Sequence, residues 1–224
     1  MNKTVVLGGT GLLGSELKKV DSSLICVGSE VDISNYQILT NYLEGVDPDI
    51  IINCAALKSE IVDIKRLESI DVNIIGAANV AKYCLIRKKR LCFISTDYVY
   101  PGTKGNYSEN DTILPNNLYA WSKLSGESST LLVENSIIIR TSFGQTVFPY
   151  EFAFENLFTS KDYVDLIAPL ILKVVKSEIC GVINVGTERK SIHEYAKRRN
   201  KVESRSLSSK KDYSLDLKKL SNIL

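Results

Sequence analysis

The stretch Thr4-Val5-Val6-Leu7-Gly8-Gly9-Thr10-Gly11-Leu12-Leu13-Gly14-Ser15-Glu16-Leu17 decides the fold of this chain. A short β-rich run enters a turn with glycines at 8, 11 and 14, and a helical pattern then continues to Val20. Glycine at such a junction permits a tight turn and lets the backbone approach a pyrophosphate, whose charge the helix N-terminus stabilises. Alone the motif is weak. Placed at the first strand-to-helix junction, it predicts dinucleotide binding rather than a merely structural turn, with Gly8, Thr10, Gly11, Leu12, Leu13 and Gly14 forming the cradle.

Outward from that junction, short apolar runs alternate with longer helical patterns. Strands are predicted at 23–28, 49–56, 90–96 and 136–142, and helices at 34–45, 69–89 and 117–134. Several of the strand runs are continuously apolar, as expected where helices cover both faces of a parallel sheet. The predicted fold class is therefore α/β, a doubly wound parallel sheet of the NAD(P)-binding Rossmann kind with a small C-terminal substrate lobe. Residues 1–145 read as the dinucleotide-binding core. Residues 146–224 read as an abbreviated substrate-binding lobe interleaved with the end of the core: a helix over 164–177, a strand over 181–186 and a helix from Ser191. Between Glu188 and Lys211 there are nine Lys/Arg against three Glu, which reads as a solvated face or as a field that steers an anionic ligand.

With 44% hydrophobic and 24% charged residues, the composition suggests neither disorder nor a membrane class. The start, Met1-Asn2-Lys3-Thr4, runs directly into a strand and leaves no room for a secretory leader, so a cytoplasmic protein is expected, bound to neither membrane nor nucleic acid. Cys26, Cys54, Cys84, Cys92 and Cys180 are scattered and never spaced C-x-x-C, which argues against a disulfide framework and a zinc site. With His193 the only histidine, metal chemistry needing several imidazoles is excluded, and no metal is expected.

The second strand ends Val27-Gly28-Ser29, without the acidic residue that grips an NAD ribose; Glu30 lies just past it. Ser29 tolerates a 2′-phosphate, although no Arg or Lys follows to bind one, and NADP is favoured over NAD on that ground. Asp32, followed by Ile33, fits a carboxylate that contacts adenine; its alternative is an N-cap or turn residue. Cys54-Ala55-Ala56 offers small residues against which a cofactor can lie. Asn73 falls inside a predicted helix, either toward the cofactor or as a solvent-facing polar residue.

The strongest constellation is Tyr119-Ala120-Trp121-Ser122-Lys123, because residues at i and i+4 share one helix face. Reduction of a ketone needs a proton for the oxygen. A tyrosine near pKa 10 is a weak donor at neutral pH unless a cation such as the Lys123 ammonium favours its phenolate. That ammonium can also hydrogen-bond a nicotinamide ribose. Ser95-Thr96-Asp97-Tyr98 ends the preceding strand at the carboxyl edge of the sheet, where open α/β folds place their ligands. The Thr96 hydroxyl there can orient a carbonyl oxygen, with Asp97 and Tyr98 lining a sugar.

At these residues the chain resembles the extended short-chain dehydrogenase/reductase superfamily, in particular its dTDP-4-dehydrorhamnose reductase branch of sugar-nucleotide-binding proteins. The matching pieces are Gly8-x-x-Gly11-x-x-Gly14, Ser95-Thr96-Asp97-Tyr98-Val99, Pro115-x-Asn117-x-Tyr119-x-x-x-Lys123 and Arg140-Thr141-Ser142. Gly181-Val182-Ile183-Asn184-Val185-Gly186 and Ser214-Leu215-Asp216 echo the later segments. The resemblance implies NAD(P)H-dependent reduction of the C4 ketone of a nucleotide-linked 4-keto-6-deoxy sugar. It makes Tyr119 the general acid, assisted by Lys123 and Thr96, and gives a nucleotide sugar as the substrate. Two other functions remain open: an epimerase or dehydratase that retains its NAD, and a non-catalytic cofactor-binding subunit that regulates a partner enzyme. A homodimer or a partner subunit is compatible with either class. The departure from the family is a shorter segment after Ser142, where the substrate lobe is built.

Overall fold

The computed structural model describes residues 2–224. Its main sheet has six strands: β1 (Thr4–Leu7), β2 (Ile25–Val27), β3 (Ile50–Asn53), β4 (Arg90–Thr96), β5 (Ser136–Thr141) and β6 (Gly181–Val185). The order across the sheet is β6-β5-β4-β3-β1-β2, and every pairing is parallel. The helices that cover it are α1 (Leu12–Val20), α2 (Tyr36–Val46), α3 (Ala77–Arg87), α4 (Leu118–Thr130) and α5 (Val164–Lys176), with α6 (Ile192–Lys197) beyond the sheet. The doubly wound class read from the sequence is the one observed.

Pleating explains the apolar runs. Successive side chains of a strand point to opposite faces, so Val6 packs with Leu13 and Leu17 of α1, while Val5 and Leu7 pack with Leu39 and Leu43 of α2. Ile50 and Ile52 join the first cluster and Ile51 the second. Both faces need apolar residues because both are covered.

The strand order reverses at β1: β2 lies on one side of it and β3 on the other. The turns that leave β1 and β3 therefore diverge and open a crevice at the carboxyl edge. The backbone at Gly8, with φ +73°, is pressed against the segment after β3; a Cβ there would sit 2.6 Å from the Ala55 nitrogen.

The helix expected over 69–89 is interrupted. It begins as a short turn, Arg66–Ser69, widens into a π-type stretch, Ile70–Gly76, and only then becomes α3. Asn73 in the widened stretch is buried. Its side chain accepts from the Leu57 N–H at 2.7 Å and donates to the Leu57 carbonyl at 3.2 Å and to Ser122 Oγ at 2.9 Å. Such stretches commonly aim a side chain at a particular job, and here Asn73 ties the segment after β3 to α4.

The chain after β5 folds into short ribbons. Phe143–Gly144 pairs with Asp162–Tyr163, Leu157–Thr159 lies between Lys190–Ser191 and Lys211–Asp212, and Phe152–Phe154 pairs with Glu203–Arg205. Much of the basic charge between residues 188 and 211 is matched internally: Arg189 pairs with Asp212, Lys190 and Arg198 with Asp162, and Arg199 with Asp165. No helix among the described residues is long and apolar enough to cross a membrane.

A buried ion pair fastens α4 to the sheet. Glu127 of α4 and Arg140 of β5 meet at 2.7 Å with 2% and 3% of their side chains exposed. Ser95 of β4 donates to the same carboxylate, Arg140 Nη1 donates to the Tyr100 hydroxyl at 3.0 Å, and that hydroxyl donates to Asn184 of β6 at 3.1 Å. Replacing Glu127 with Ala leaves the guanidinium buried without its counter-charge. The expected loss of stability is about 3–5 kcal/mol, read by urea unfolding. A Glu127→Leu, Arg140→Met double variant should recover most of it; a single-variant loss below about 1 kcal/mol would contradict this account.

Candidate active site

The crevice at the carboxyl edge opens into a cavity of about 330 Å³. Gly8, Gly11, Leu12, Leu13 and Gly14 line one end, with Cys54 and Ala56; Ser95, Thr96, Tyr98, Tyr119 and Lys123 line its middle. The far wall comes from Thr141, Ser142, Gly144, Phe148, Tyr150, Lys161 and Tyr195. Of the residues read from the sequence, Thr10, Ser29, Asp32, Ile33, Ala55, Asn73 and Asp97 do not line this cavity.

The glycines at the first junction have different jobs. A Cβ on Gly14 would lie 2.4 Å from the Gly9 Cα, so packing within the turn requires that glycine. Gly11 is different: a Cβ there would meet only the Gly8 carbonyl oxygen, at 3.2 Å, and the residue faces the cavity. Gly11 is also the N-cap of α1, its cap carries no side-chain hydrogen bond, and no acidic residue occupies the first turn. Free N–H groups beside a surface without side chains fit the pyrophosphate of a dinucleotide.

Next to this cradle, the Glu30 carboxylate folds back to accept the Gly28 N–H at 2.7 Å, close to the Thr10 hydroxyl. Ser29 and Asp32 are exposed, and Asp32 accepts from both the N–H and the hydroxyl of Ser34, the contact of a turn residue. Ile33 is buried against Gly76.

Helix α4 presents Tyr119 and Lys123 one turn apart, capped by Asn117, whose side chain accepts from the Ala120 N–H at 2.8 Å. A Cβ on Gly126 would lie 2.3 Å from Phe93 Cζ, so the helix rests directly on β4. Mid-helix glycine costs about 1 kcal/mol relative to alanine, and this close approach is what it permits. The Lys123 ammonium sits 4.2 Å from the centre of the Phe93 ring. Burial pulls its pKa down to about 8, against the opposing influence of Cys54 and Glu127.

Tyr119 is pushed up by burial and by the carboxylates of Asp97 and Glu60. Lys123 is not among the groups that shift it, unlike the pairing expected from spacing alone: the ammonium is directed at Phe93, Cys54 and Glu127. Tyr119 is thus held as a protonated hydroxyl. The Thr96 hydroxyl lines the cavity, accepts from the Tyr98 N–H at 3.2 Å and donates to Asp97 at 3.3 Å. Asp97 lies behind it, 1% exposed, with burial raising its carboxyl to about 7.

Sequence reasoning missed the far wall. Lys161 falls in no motif, and Thr141 appears only within the Arg140-Thr141-Ser142 match; the end of β5 brings Thr141 to the cavity and the ribbons after it bring Lys161. Thr141 Oγ1 is buried with no hydrogen-bond partner among the described residues.

Residues 1–180 match the RmlD substrate binding domain family. The chain is similar to the dTDP-4-dehydrorhamnose reductase of Aggregatibacter actinomycetemcomitans, 36% identical over 154 residues that cover 64% of this chain and 52% of the relative. It is also similar to the methionine adenosyltransferase 2 subunit beta of Rattus norvegicus, 29% identical over 148 residues, or 60% and 44% of the two chains. The chain thus spans about half the length of the curated relatives it matches. Among solved structures, the dTDP-4-dehydrorhamnose reductase of Bacillus anthracis in complex with NADP superposes with a TM-score of 0.86 at 25% identity, covering 99% of this chain and 91% of that one.

The depressed Lys123 pKa has a consequence for stability. Between about pH 8 and 10.5 the unfolded chain holds this proton and the folded chain does not, so the contribution of Lys123 to stability rises with pH across that window, opposed above pH 9 by the buried thiols of Cys54, Cys84 and Cys92, which burial pushes up. At pH 7 the folded state bears the full cost of the buried ammonium, and Lys123→Met should raise stability by on the order of 3 kcal/mol. The gap between the Met variant and wild type should narrow from pH 8 to 10.5. Urea unfolding at several pH values checks both; a Met variant less stable at pH 7 would refute the assignment.

Proposed function

Because this chain belongs to the RmlD substrate binding domain family, we propose that it reduces the C4 ketone of a nucleotide-linked 4-keto-6-deoxy sugar with NADPH. The observation that carries this reading is that Thr96, Tyr119 and Lys123 line one cavity with Gly11 and the uncapped start of α1. A proton donor, a carbonyl-orienting hydroxyl and a phosphate cradle thus share one space. Fold alone would not support the assignment.

The cofactor fits on the grounds of Gly11 and the free N–H groups, and the similar B. anthracis reductase binds NADP. Once bound, the reduced nicotinamide supplies the hydride. The chain supplies the rest: the Thr96 hydroxyl turns its hydrogen from Asp97 to the carbonyl oxygen and Tyr119 Oη transfers its proton to that oxygen. Lys123, one turn farther along the same helix face, donates to the nicotinamide ribose. Glu30, together with the absence of an Arg or Lys after Ser29, favours NADH, because a carboxylate at the end of β2 can accept ribose hydroxyls and repels a 2′-phosphate.

A second reading has its own support. One relative is named as a subunit of methionine adenosyltransferase, and Leu67, Leu118 and Trp121 are exposed by 75%, 44% and 51% on neighbouring elements. On this reading the chain binds its cofactor and attaches to a partner enzyme.

Mixing the purified protein with dTDP-4-keto-6-deoxyglucose and either NADPH or NADH separates the two. Reduction is expected to consume NADPH faster than NADH, and Tyr119→Phe to lower kcat by about 10²-fold or more without weakening cofactor binding. Full turnover in the Phe variant would exclude Tyr119 as the acid. Cofactor binding without turnover would favour the subunit reading.

A further inference from the structure

Asp97 does not line the cavity; it sits behind Thr96, 1% exposed, where β4 runs into the short helical turn Asp97–Val99. Thr96 caps that turn, and its hydroxyl, which does line the cavity, accepts from the Tyr98 N–H at 3.2 Å. The hydrogen of the same hydroxyl goes to Asp97 Oδ1, 3.3 Å away.

A threonine hydroxyl has one hydrogen and two lone pairs. The Tyr98 N–H occupies one lone pair, which leaves the other lone pair and the hydrogen to be divided between Asp97 and a ligand in the cavity. An ionised carboxylate only accepts, so it draws the hydrogen and leaves the lone pair to the cavity, where it repels a carbonyl oxygen. A protonated Asp97 reverses the division: the acid donates to the lone pair, and the hydrogen is free for the cavity. Turning the hydroxyl to a ketone while Asp97 stays ionised would set two acceptors against each other in a buried place, where an unmet acceptor is costly.

The surroundings of Asp97 permit both forms. Burial raises its carboxyl to about 7, opposed first by the Lys161 ammonium and then by the Thr96 hydroxyl and the N–H groups of Asp97 and Tyr98. Three phenols face it: Tyr98 beside it, Tyr119 from α4 and Tyr213 from the C-terminal segment. Burial and the Asp97 charge push all three up, so they stay protonated through neutral pH. Glu60, exposed to solvent, acts on Tyr98, Tyr119 and Lys161. Lys161 is thus the cation that favours the ionised form, and burial favours the neutral one.

We propose that Asp97 is a positioning residue that works as a neutral acid: it donates to Thr96 Oγ1 so that the Thr96 hydrogen is presented to the ketone, and its ionisation switches that donor off. The proposal rests on the reductase reading for the ketone. The proton on Asp97 is not consumed; it remains on the carboxyl while Tyr119 supplies the proton that the product alcohol keeps.

The pH dependence of single-turnover NADPH oxidation with dTDP-4-keto-6-deoxyglucose tests this in wild type, Asp97→Asn and Thr96→Val. The wild-type rate is expected to fall about 10-fold between pH 6 and 8. Asp97→Asn carries an amide that donates at every pH, and its profile should change by no more than about 2-fold over that range, the share that Lys123 contributes as it begins to titrate. Thr96→Val has no hydrogen for Asp97 to withhold; it should be slower at pH 6 by about 10²-fold, and its profile should be as flat as that of the Asn variant. A wild-type rate that does not fall overturns the proposal, and so does a fall that persists in Asp97→Asn. A fall that persists in Thr96→Val overturns it too, because the Asp97 charge would then act on Tyr119 without Thr96. In each of these cases turnover leaves the reductase reading in place, and should Asp97→Asn fail to fold, the Thr96→Val profile decides. A wild type that oxidises no NADPH at any pH is a different failure: the reductase reading falls, and the role of Asp97 with it.

Discussion

The ion pair between Glu127 and Arg140 is the constraint on which the arrangement of the cavity depends. It joins α4 to β5, and through Ser95 and Tyr100 it reaches β4 and β6. Lys123 lies one helical turn before Glu127 and Tyr119 one turn before that, while Thr96 follows Ser95 directly. The same carboxylate thus sets the height of the proton donor and of the hydroxyl that would face it. Buried ion pairs seldom add net stability over an apolar replacement. What this one contributes is register: the helix cannot slide along the sheet without leaving a buried guanidinium unmatched.

Charge is handled differently in two parts of the molecule. In the ribbons after β5 most basic side chains near an acid are paired with it, as Arg189 is with Asp212 and Arg199 with Asp165. Inside the cavity Lys123 and Lys161 have no ion-pair partner among the described residues, and burial lowers both. A fold selected for stability alone would match or remove such groups. Keeping two unpaired ammonium groups in one cavity is intelligible if ligands complete them. Asp97, buried behind Thr96 and raised to about 7, influences both Tyr119 and Lys161.

The layers of the fold were legible because the sequence repeats a local rule. A strand covered on both sides must be apolar on both sides, and Val5-Val6-Leu7, Ile50-Ile51-Ile52 and Ile137-Ile138-Ile139 all obey it. Tyr119 and Lys123 were legible because helical spacing alone puts them on one face. Asn73 was only half legible: its position in a helix showed, but its contacts with Leu57 and Ser122 depend on a π-type turn that no local pattern announces. Lys161 and Arg140 were not legible as site and hub, since each acquires its meaning from elements distant in sequence.

The glycine turn shows how such ambiguity is resolved. Gly8, Gly11 and Gly14 look equivalent as a motif, and sequence alone assigns all three to a ligand. In three dimensions Gly14 is excluded from any other identity by Gly9, and Gly8 by its left-handed backbone and by Ala55, so packing would demand both even in a protein that bound nothing. Gly11 meets a milder demand: a Cβ there would press only on the Gly8 carbonyl oxygen, at 3.2 Å. It faces the cavity and leaves the first N–H groups of α1 uncovered. The glycine that packing demands least is therefore the one that argues for the ligand.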